Sequence, residues 1–404
     1  MRMSVGAGLT TLCYCSNIHA GESWQEVSAS LEEYIPAVRA KLEEGALLAP
    51  GQAFGIGLRL SAQAVAVLEM EPALSAFQSQ LDRLHAYVST INAFPYGQFH
   101  GARVKEKVYM PDWRSAERLD YTASAARILA RLLAPGEAGS ISTVPGGLRE
   151  ALDADGIGLI ARQLQQAVVM LRDLEASSGR CVVLALEPEP ACLLENTDDV
   201  LDFFQRYLLN AQACTRLAGL AGVSPVQAEA LTRRHLGICY DVCHAAVGFE
   251  EPAGALARLA VAGIAVPKLQ LSSALRIPAM RADLLPALAA LEQGVYLHQV
   301  VVQGQGRQHY GDLPEALAAF ARGQARGEWR IHCHVPVFLA AGGAFASTQA
   351  QLRAALAALP DMAHVPLLEV ETYTWDVLPP AFRPVSKAAA IARELAFIIE
   401  ELRA

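Results

Sequence analysis

Several apolar stretches of this chain end in groups that can hold a metal ion or move a proton. Glu187 closes the run VVLAL, Asp241 closes GICY with His244 three residues on, and Gln270 lies in KLQLSS. His332 and His334 follow in HCH, and Glu369 and Glu371 in LEVETY. A divalent cation draws ligands from several elements at once, and carboxylate, imidazole and amide oxygen all qualify. In E-P-E-P, Glu187 and Glu189 share a strand face by parity, but the two prolines argue against a continuing strand. Glu187, which ends the apolar run, is therefore the better ligand. Asp241 would reach the metal while His244 turns toward substrate, and Glu371 is preferred to Glu369 as nearer the strand end. Taken singly, Glu187 or Glu371 would read as a helix N-cap or a surface ion pair, and His334 as a structural histidine. Their recurrence on successive strands turns them into a constellation, a polar and metal-binding site.

Such groups need a scaffold that points strand ends at one place. Nine β-rich runs are recognisable, at 11–15, 54–60, 86–92, 140–144, 181–187, 235–241, 267–273, 329–335 and 366–373. Most are apolar nearly throughout, as parallel strands buried on both faces are. Amphipathic helices fall between them, for example at 117–134 and 158–175, and a last one carries Ile391, Leu395, Ile398 and Leu402. Strand–helix alternation means a parallel α/β fold, and carboxylates at the C-terminal strand ends belong in the mouth of a barrel. No early G-x-G-x-x-G follows a strand, so a dinucleotide-binding domain has no support. We expect a single (β/α)8 TIM-barrel domain over 1–404 with long βα loops. One of the nine strands is then accessory. Residues 294–313 read as a hairpin or lid inserted after the seventh strand, with a turn near Gly304–Gly306, and 380–404 as a C-terminal helix packing on the barrel.

Composition narrows the partners. Of 404 residues, 53 % are hydrophobic and 18 % charged, which excludes a disordered chain. The net charge of −8 gives no broad cationic face for nucleic acid. No apolar run is long enough to span a bilayer, and the N-terminal stretch does not read as a signal peptide. Eight cysteines are too sparse for a disulfide scaffold, so free thiols and a cytoplasmic location are expected. Cys239 with Cys243, and Cys13 with Cys15, read as buried thiols rather than a zinc knuckle. The loop at 92–109 offers Phe94, Tyr96 and His100 to wall a sugar-like ligand and Arg103 or Lys105 to hold an anion. Arg59, near the end of the second strand, could bind substrate or brace its neighbours. Gly146 and Gly147 suit a phosphate-binding turn or a plain βα turn.

The chain resembles the xylose-isomerase-like TIM-barrel superfamily, which contains sugar isomerases, ketose 3-epimerases and endonuclease-IV-type enzymes. More narrowly, it resembles EboE, the metabolite-traffic family of bacterial ebo operons. The runs YCSNIHAGESW, GIGLRLSAQA, TINAFPYGQFHG, GSISTVPGG, LALEPEP, CYDVCH, KLQLSSALR and LEVETYTWDVLP carry that likeness over nearly the whole chain. The superfamily's Glu, Asp, His and Glu ligands would correspond to Glu187, Asp241, a seventh-strand position and Glu371. At that third position this chain has Gln270, leaving His298, His332 or His334 as substitutes. The resemblance implies a divalent metal (Mn, Mg, Co or Zn) and an isomerase or epimerase acting on a sugar, cyclitol or phosphorylated derivative. Glu187 and Glu371 would exchange base and acid roles, with His244 beside substrate. Two other functions stay open, a non-catalytic metabolite escort on the same scaffold and an endonuclease-IV-like phosphodiesterase. A homo-oligomer is also open.

Overall fold

The computed structural model describes residues 1–99, 105–289, 291, 296–342, 345–374 and 386–403. Eight parallel strands form the centre: β1 (Gly8–Cys15), β2 (Phe54–Arg59), β3 (Ala86–Asn92), β4 (Ala138–Thr143), β5 (Cys181–Leu186), β6 (Leu236–Asp241), β7 (Ala265–Leu271) and β8 (Leu367–Val370). Each pairs in parallel with the next, and β8 closes on β1 through Leu368↔Leu12 and Val370↔Tyr14. The result is a closed (β/α)8 barrel, as expected from the alternation of elements. A short strand, Arg2–Val5, hairpins back onto β1 from outside.

Local chemistry explains the helices that wrap it. Trp24–Glu44 starts at Ser23, whose hydroxyl accepts from the Glu26 N–H while the Glu26 carboxylate reaches back, a reciprocal cap. Ala154–Ser178 begins on the Asp153 side chain and stops at Gly179, whose φ of 68° suits a residue without a Cβ. Ala116–Leu132 brings in Arg118, fully buried, whose guanidinium donates to the carbonyls of Pro111, Ala93 and Phe94 at 2.7–3.1 Å. One side chain thus holds the loop that leaves β3. The last helix, Lys387–Arg403, buries Ile391, Leu395, Ile398 and Ile399.

Between β7 and β8 the chain builds a second, antiparallel sheet. Among the described residues its order is Arg307–Tyr310, Val300–Gln303, Glu328–His334, Ala274–Ile277, Phe345–Ser347 and Ala341–Gly342. The expected hairpin is its outer pair, with Gln303↔Arg307 beside a turn closed by Gly304 N–H to Gly306 O at 3.0 Å. The accessory ninth strand is the 329–335 run. It pairs antiparallel with both neighbours and never joins the barrel.

The barrel interior is unusually polar. Cys13, Cys15, Ser142, Lys268, Gln270 and Glu369 are all essentially inaccessible. Gly57 has to be glycine, because a Cβ there would lie 1.3 Å from Glu369 Oε1. All eight cysteines are free. No helix among the described residues is long and apolar enough to cross a membrane.

Candidate active site

The C-terminal strand ends converge as a barrel requires. Asp241 ends β6 and caps the short helix Val242–Val247. Its Oδ1 accepts from Ser272 Oγ at 2.7 Å and from the His244 N–H at 3.1 Å. That fixes the carboxylate and leaves Oδ2 buried without a hydrogen-bond partner. Glu187 follows β5 directly, and its Oε2 is bare in the same way. Glu371 follows β8, with Oε1 accepting from Asn92 Nδ2 at 3.0 Å and from the Asn17 amide. Carboxylate oxygens of Glu187, Asp241 and Glu371 lie within 4.8 Å of one another, all buried. Burial pushes the Glu187 carboxyl well above the usual range, and the nearby Glu371 and Asp241 charges add to the shift.

The histidines arrive from two directions. His244 stands on the helix that Asp241 caps, with Nδ1 2.8 Å from the Pro188 carbonyl. His332 and His334 come from the antiparallel sheet, with ring centroids 5.6 Å apart. His334 Nδ1 bonds the Glu371 carbonyl at 2.7 Å, and its Nε2 is buried with no partner. His334 groups with Asp241 and His244, each offering a ligand atom within 4.8 Å of the others. Burial pulls the His244 imidazole down, but Asp241, Glu189 and Glu187 around it raise it to about 9. Burial, with His244 and His334 nearby, holds His332 well below the ordinary histidine value. Glu189 accepts from Tyr109 Oη at 2.6 Å, and Gln299 Nε2 donates to that same hydroxyl at 2.9 Å.

Glu187, Glu189, His244, His332 and Glu371 line a small pocket with a cavity volume of about 60 Å³. Phe94 and a triangle of Phe99, Tyr296 and Tyr373, with ring centroids 5.1–5.4 Å apart, give it apolar walls. Lys105 is the one lysine or arginine among the described lining residues, and it is ion-paired with Asp312.

The other sequence-derived candidates fall in different places. Arg59 is 2 % exposed and committed to Glu22 at 2.9 Å and to the carbonyls of Gly21 and Gly97, so it braces two loops rather than reaching substrate. Tyr96 turns its ring onto Tyr121 at 5.1 Å and away from the pocket. His100 and Arg103 lie outside the described residues. Gly146 and Gly147 form a plain turn beside the Asp112 carboxylate, which would repel a phosphate. Glu369 is paired with Lys268 inside the barrel, which leaves Glu371 at the mouth. Gln270 is in register with Asp241 and Glu369 and sits fully buried 4.0 Å from Cys239 Sγ. His298 is buried before the strand Val300–Gln303 and joins no described metal-ligating group. Asn17, Tyr109, Glu189 and Gln299 carry site roles that sequence reasoning did not assign. Asn17 sits in the first of the family-like runs, the one available signal for it.

No family model matches the chain. A search of curated proteins gives no match either. Among solved structures, the chain is similar to a xylose isomerase-like TIM barrel protein from Mycobacterium smegmatis in complex with magnesium. That match has 10 % identity and a TM-score of 0.48, covering 97 % of this chain and 96 % of the other. It is also similar to D-allulose 3-epimerase from Methylomonas sp., at 10 % identity and a TM-score of 0.47, covering 99 % and 100 %. A third is the probable 3-DHS dehydratase AsbF from Bacillus anthracis, at 13 % identity and a TM-score of 0.44, covering 96 % and 98 %.

Proposed function

We propose that the protein is a metal-dependent isomerase or epimerase, moving a proton at a carbon beside a carbonyl in a small polyhydroxylated metabolite. One observation carries this reading. Three buried carboxylates converge at the barrel mouth, and Glu187 Oε2, Asp241 Oδ2 and His334 Nε2 there lack any hydrogen-bond partner. Bare acceptors of that kind are costly in a protein interior unless a cation meets them.

Glu187, Asp241 and Glu371 would hold the ion, with His334 as the nitrogen ligand in place of a seventh-strand histidine. A mixed oxygen and nitrogen set suits Mn, Mg, Co or Zn. When bound, the ion supplies Lewis-acid polarisation of the substrate carbonyl. The remaining work falls to the chain. Glu187 and Glu371, whose carboxylate oxygens lie within 4.8 Å of each other, serve as base and acid. His244, its ring fixed between the Pro188 carbonyl and His332, lines the pocket beside the substrate. Phe94, Tyr296 and Tyr373 present apolar faces to a sugar-like ring and keep water out. The likeness of the sequence runs to EboE supports a keto-sugar or cyclitol precursor, phosphorylated or not, as the substrate class.

The neutral Gln270 favours a second reading, in which the same pocket binds and escorts a metabolite without chemistry. A single experiment separates them. The manganese-loaded protein is incubated in deuterium oxide with a panel of ketohexoses and ketocyclitols and followed by NMR. Deuterium entering the carbon beside the carbonyl, abolished in Glu187→Gln and Glu371→Gln, supports the isomerase. A bound ligand that never exchanges sinks it in favour of escort.

A further inference from the structure

A separate set of metal-ligating side chains sits far from the strand-end carboxylates. Glu175 lies in the last turn of the helix Ala154–Ser178, Cys181 opens β5, and His235 ends the helix Pro225–His235 that leads into β6. A strand of that length spans about 17–20 Å, so Cys181 and Glu187 mark opposite ends of the barrel. Ligand atoms of Glu175, Cys181 and His235 lie within 4.8 Å of one another. His235 is fully buried, and its Nδ1 faces the Val182 carbonyl at 3.1 Å. A carbonyl only accepts, so Nδ1 carries the proton and the ring presents Nε2 to Glu175 Oε2, 3.4 Å away. Nε2 has no hydrogen-bond partner. This is the arrangement that orients a metal-ligating histidine, one nitrogen donated to a carbonyl and the other left bare.

A proton on Nε2 would make the contact an ion pair with Glu175, and two observations oppose that. Burial pulls the His235 imidazole below its ordinary value, by more than the Val182 carbonyl and Glu175 restore. The 3.4 Å separation is also long beside the roughly 2.7–2.9 Å of a charge-assisted hydrogen bond. It matches the edge of a tetrahedron instead, since nitrogen and oxygen ligands about 2.0–2.1 Å from zinc stand about 3.3–3.4 Å apart. Arg234 grips both oxygens of Glu175 and fixes the carboxylate from behind.

We infer that Glu175, Cys181 and His235 form a zinc site at the N-terminal end of the barrel, with water completing the coordination. Thiolate, imidazole and carboxylate are all zinc ligands, and the sulfur disfavours magnesium. The ion ties the end of one helix to β5 and to the helix before β6, a bracing role independent of the proposed reaction. Cys181 is part-exposed and gives the ion a way in. Burial and the Glu175 charge raise its thiol, which therefore gives up its proton as the ion binds.

Titration of the full chain with Co(II), followed by absorption, tests this without a substrate. A thiolate-to-cobalt charge-transfer band is expected, absent in Cys181→Ser and retained in Glu187→Gln. No band, or a band that survives Cys181→Ser, overturns the site. A band lost in Glu187→Gln places the thiolate in the barrel mouth and overturns it too. None of these results removes the proposed function, whose carboxylates bind cobalt without that band. Should Cys181→Ser fail to fold, alkylation of the unaltered protein by iodoacetamide, mapped by mass spectrometry, decides. Zn(II) should slow capture of Cys181 by about ten-fold or more and Mg(II) should not, because a metal-bound thiolate is withheld from attack. Equal rates with and without Zn(II) overturn the site.

Discussion

The ammonium group of Lys268 lies directly against the Glu369 carboxylate inside the barrel, with both side chains fully sealed from solvent. Lys268 Nζ also donates to Ser142 Oγ at 3.2 Å, and the missing side chain of Gly57 makes the space that Glu369 occupies. The pair, on β7 and β8, is thus built into the barrel by choices on two further strands, β4 and β2. Removing one partner strands a buried charge, so Lys268→Met should cost about 3–5 kcal/mol in urea unfolding. The double change Lys268→Met with Glu369→Met should recover much of that loss. A single variant with wild-type stability would show that the pair is not buried as described.

Gly57→Ala probes the same spot from the steric side. A methyl group 1.3 Å from Glu369 Oε1 cannot be accommodated by rotating a free end, since that end is held by Lys268. We expect a loss of about 1–3 kcal/mol or more, the range for overpacking a filled core. Thermal unfolding measures it, and an unshifted melting temperature would contradict the packing.

Asn92 acts on Glu371 from across the barrel at 3.0 Å. Asn92→Ala leaves every proposed ligand in place but frees the orientation of one carboxylate. Metal affinity should fall by about 10–100-fold, the usual effect of losing a partner behind a ligand. Titration with Mn(II) reads this directly, and unaltered affinity would remove Asn92 from the site.

Arg59 is held by Glu22 and two backbone carbonyls. Arg59→Met should therefore lower stability by about 1–3 kcal/mol through unmatched buried acceptors. Limited proteolysis should then cut faster near residues 16–22 and 94–99, with metal affinity unchanged. Loss of ligand binding in a variant of normal stability would return Arg59 to the substrate.

Glu394 carries a pH signature away from the site. Burial raises its carboxyl to about 8, against the smaller opposing pull of hydrogen bonds from Thr372 and Val337. A raised folded-state value means the folded protein holds a proton that the unfolded chain has released. This contribution is complete below the ordinary value of 4.5 and is lost as pH rises through about 8. Over that window it falls by about 1.4 kcal/mol per pH unit at most. Glu394→Gln accepts the same two hydrogen bonds and cannot ionise. Its melting temperature should change less between pH 5 and pH 8 than that of the unaltered protein. Equal losses in the two would rule Glu394 out.

Much of the barrel was legible along the chain because buried parallel strands are apolar on both faces and so stand out from the helices between them. All eight barrel strands are among the nine runs read from sequence. The ninth was not separable, since WRIHCHV is as apolar as a barrel strand. Nothing in a single run tells whether its hydrogen-bond partners will be parallel or antiparallel. The roles of Arg59 and Tyr96 were hidden for a related reason. Both lie where a strand gives way to a loop, and the loop's path decided whether they met solvent, substrate or each other's neighbours.

By itself the sequence determined the alternation that closes a barrel and the chemical kinds of group at its strand ends: Glu187, Asp241, His244 and Glu371. The tertiary structure decided which of these groups meet. It put Glu369 against Lys268 and Glu371 at the mouth, although the two glutamates are two residues apart on one face. It also brought His332 to His244 from a sheet inserted 88 residues away in the chain. The physical reason is that a local pattern specifies which face a side chain takes. Only the register and closure of distant strands specify what stands opposite.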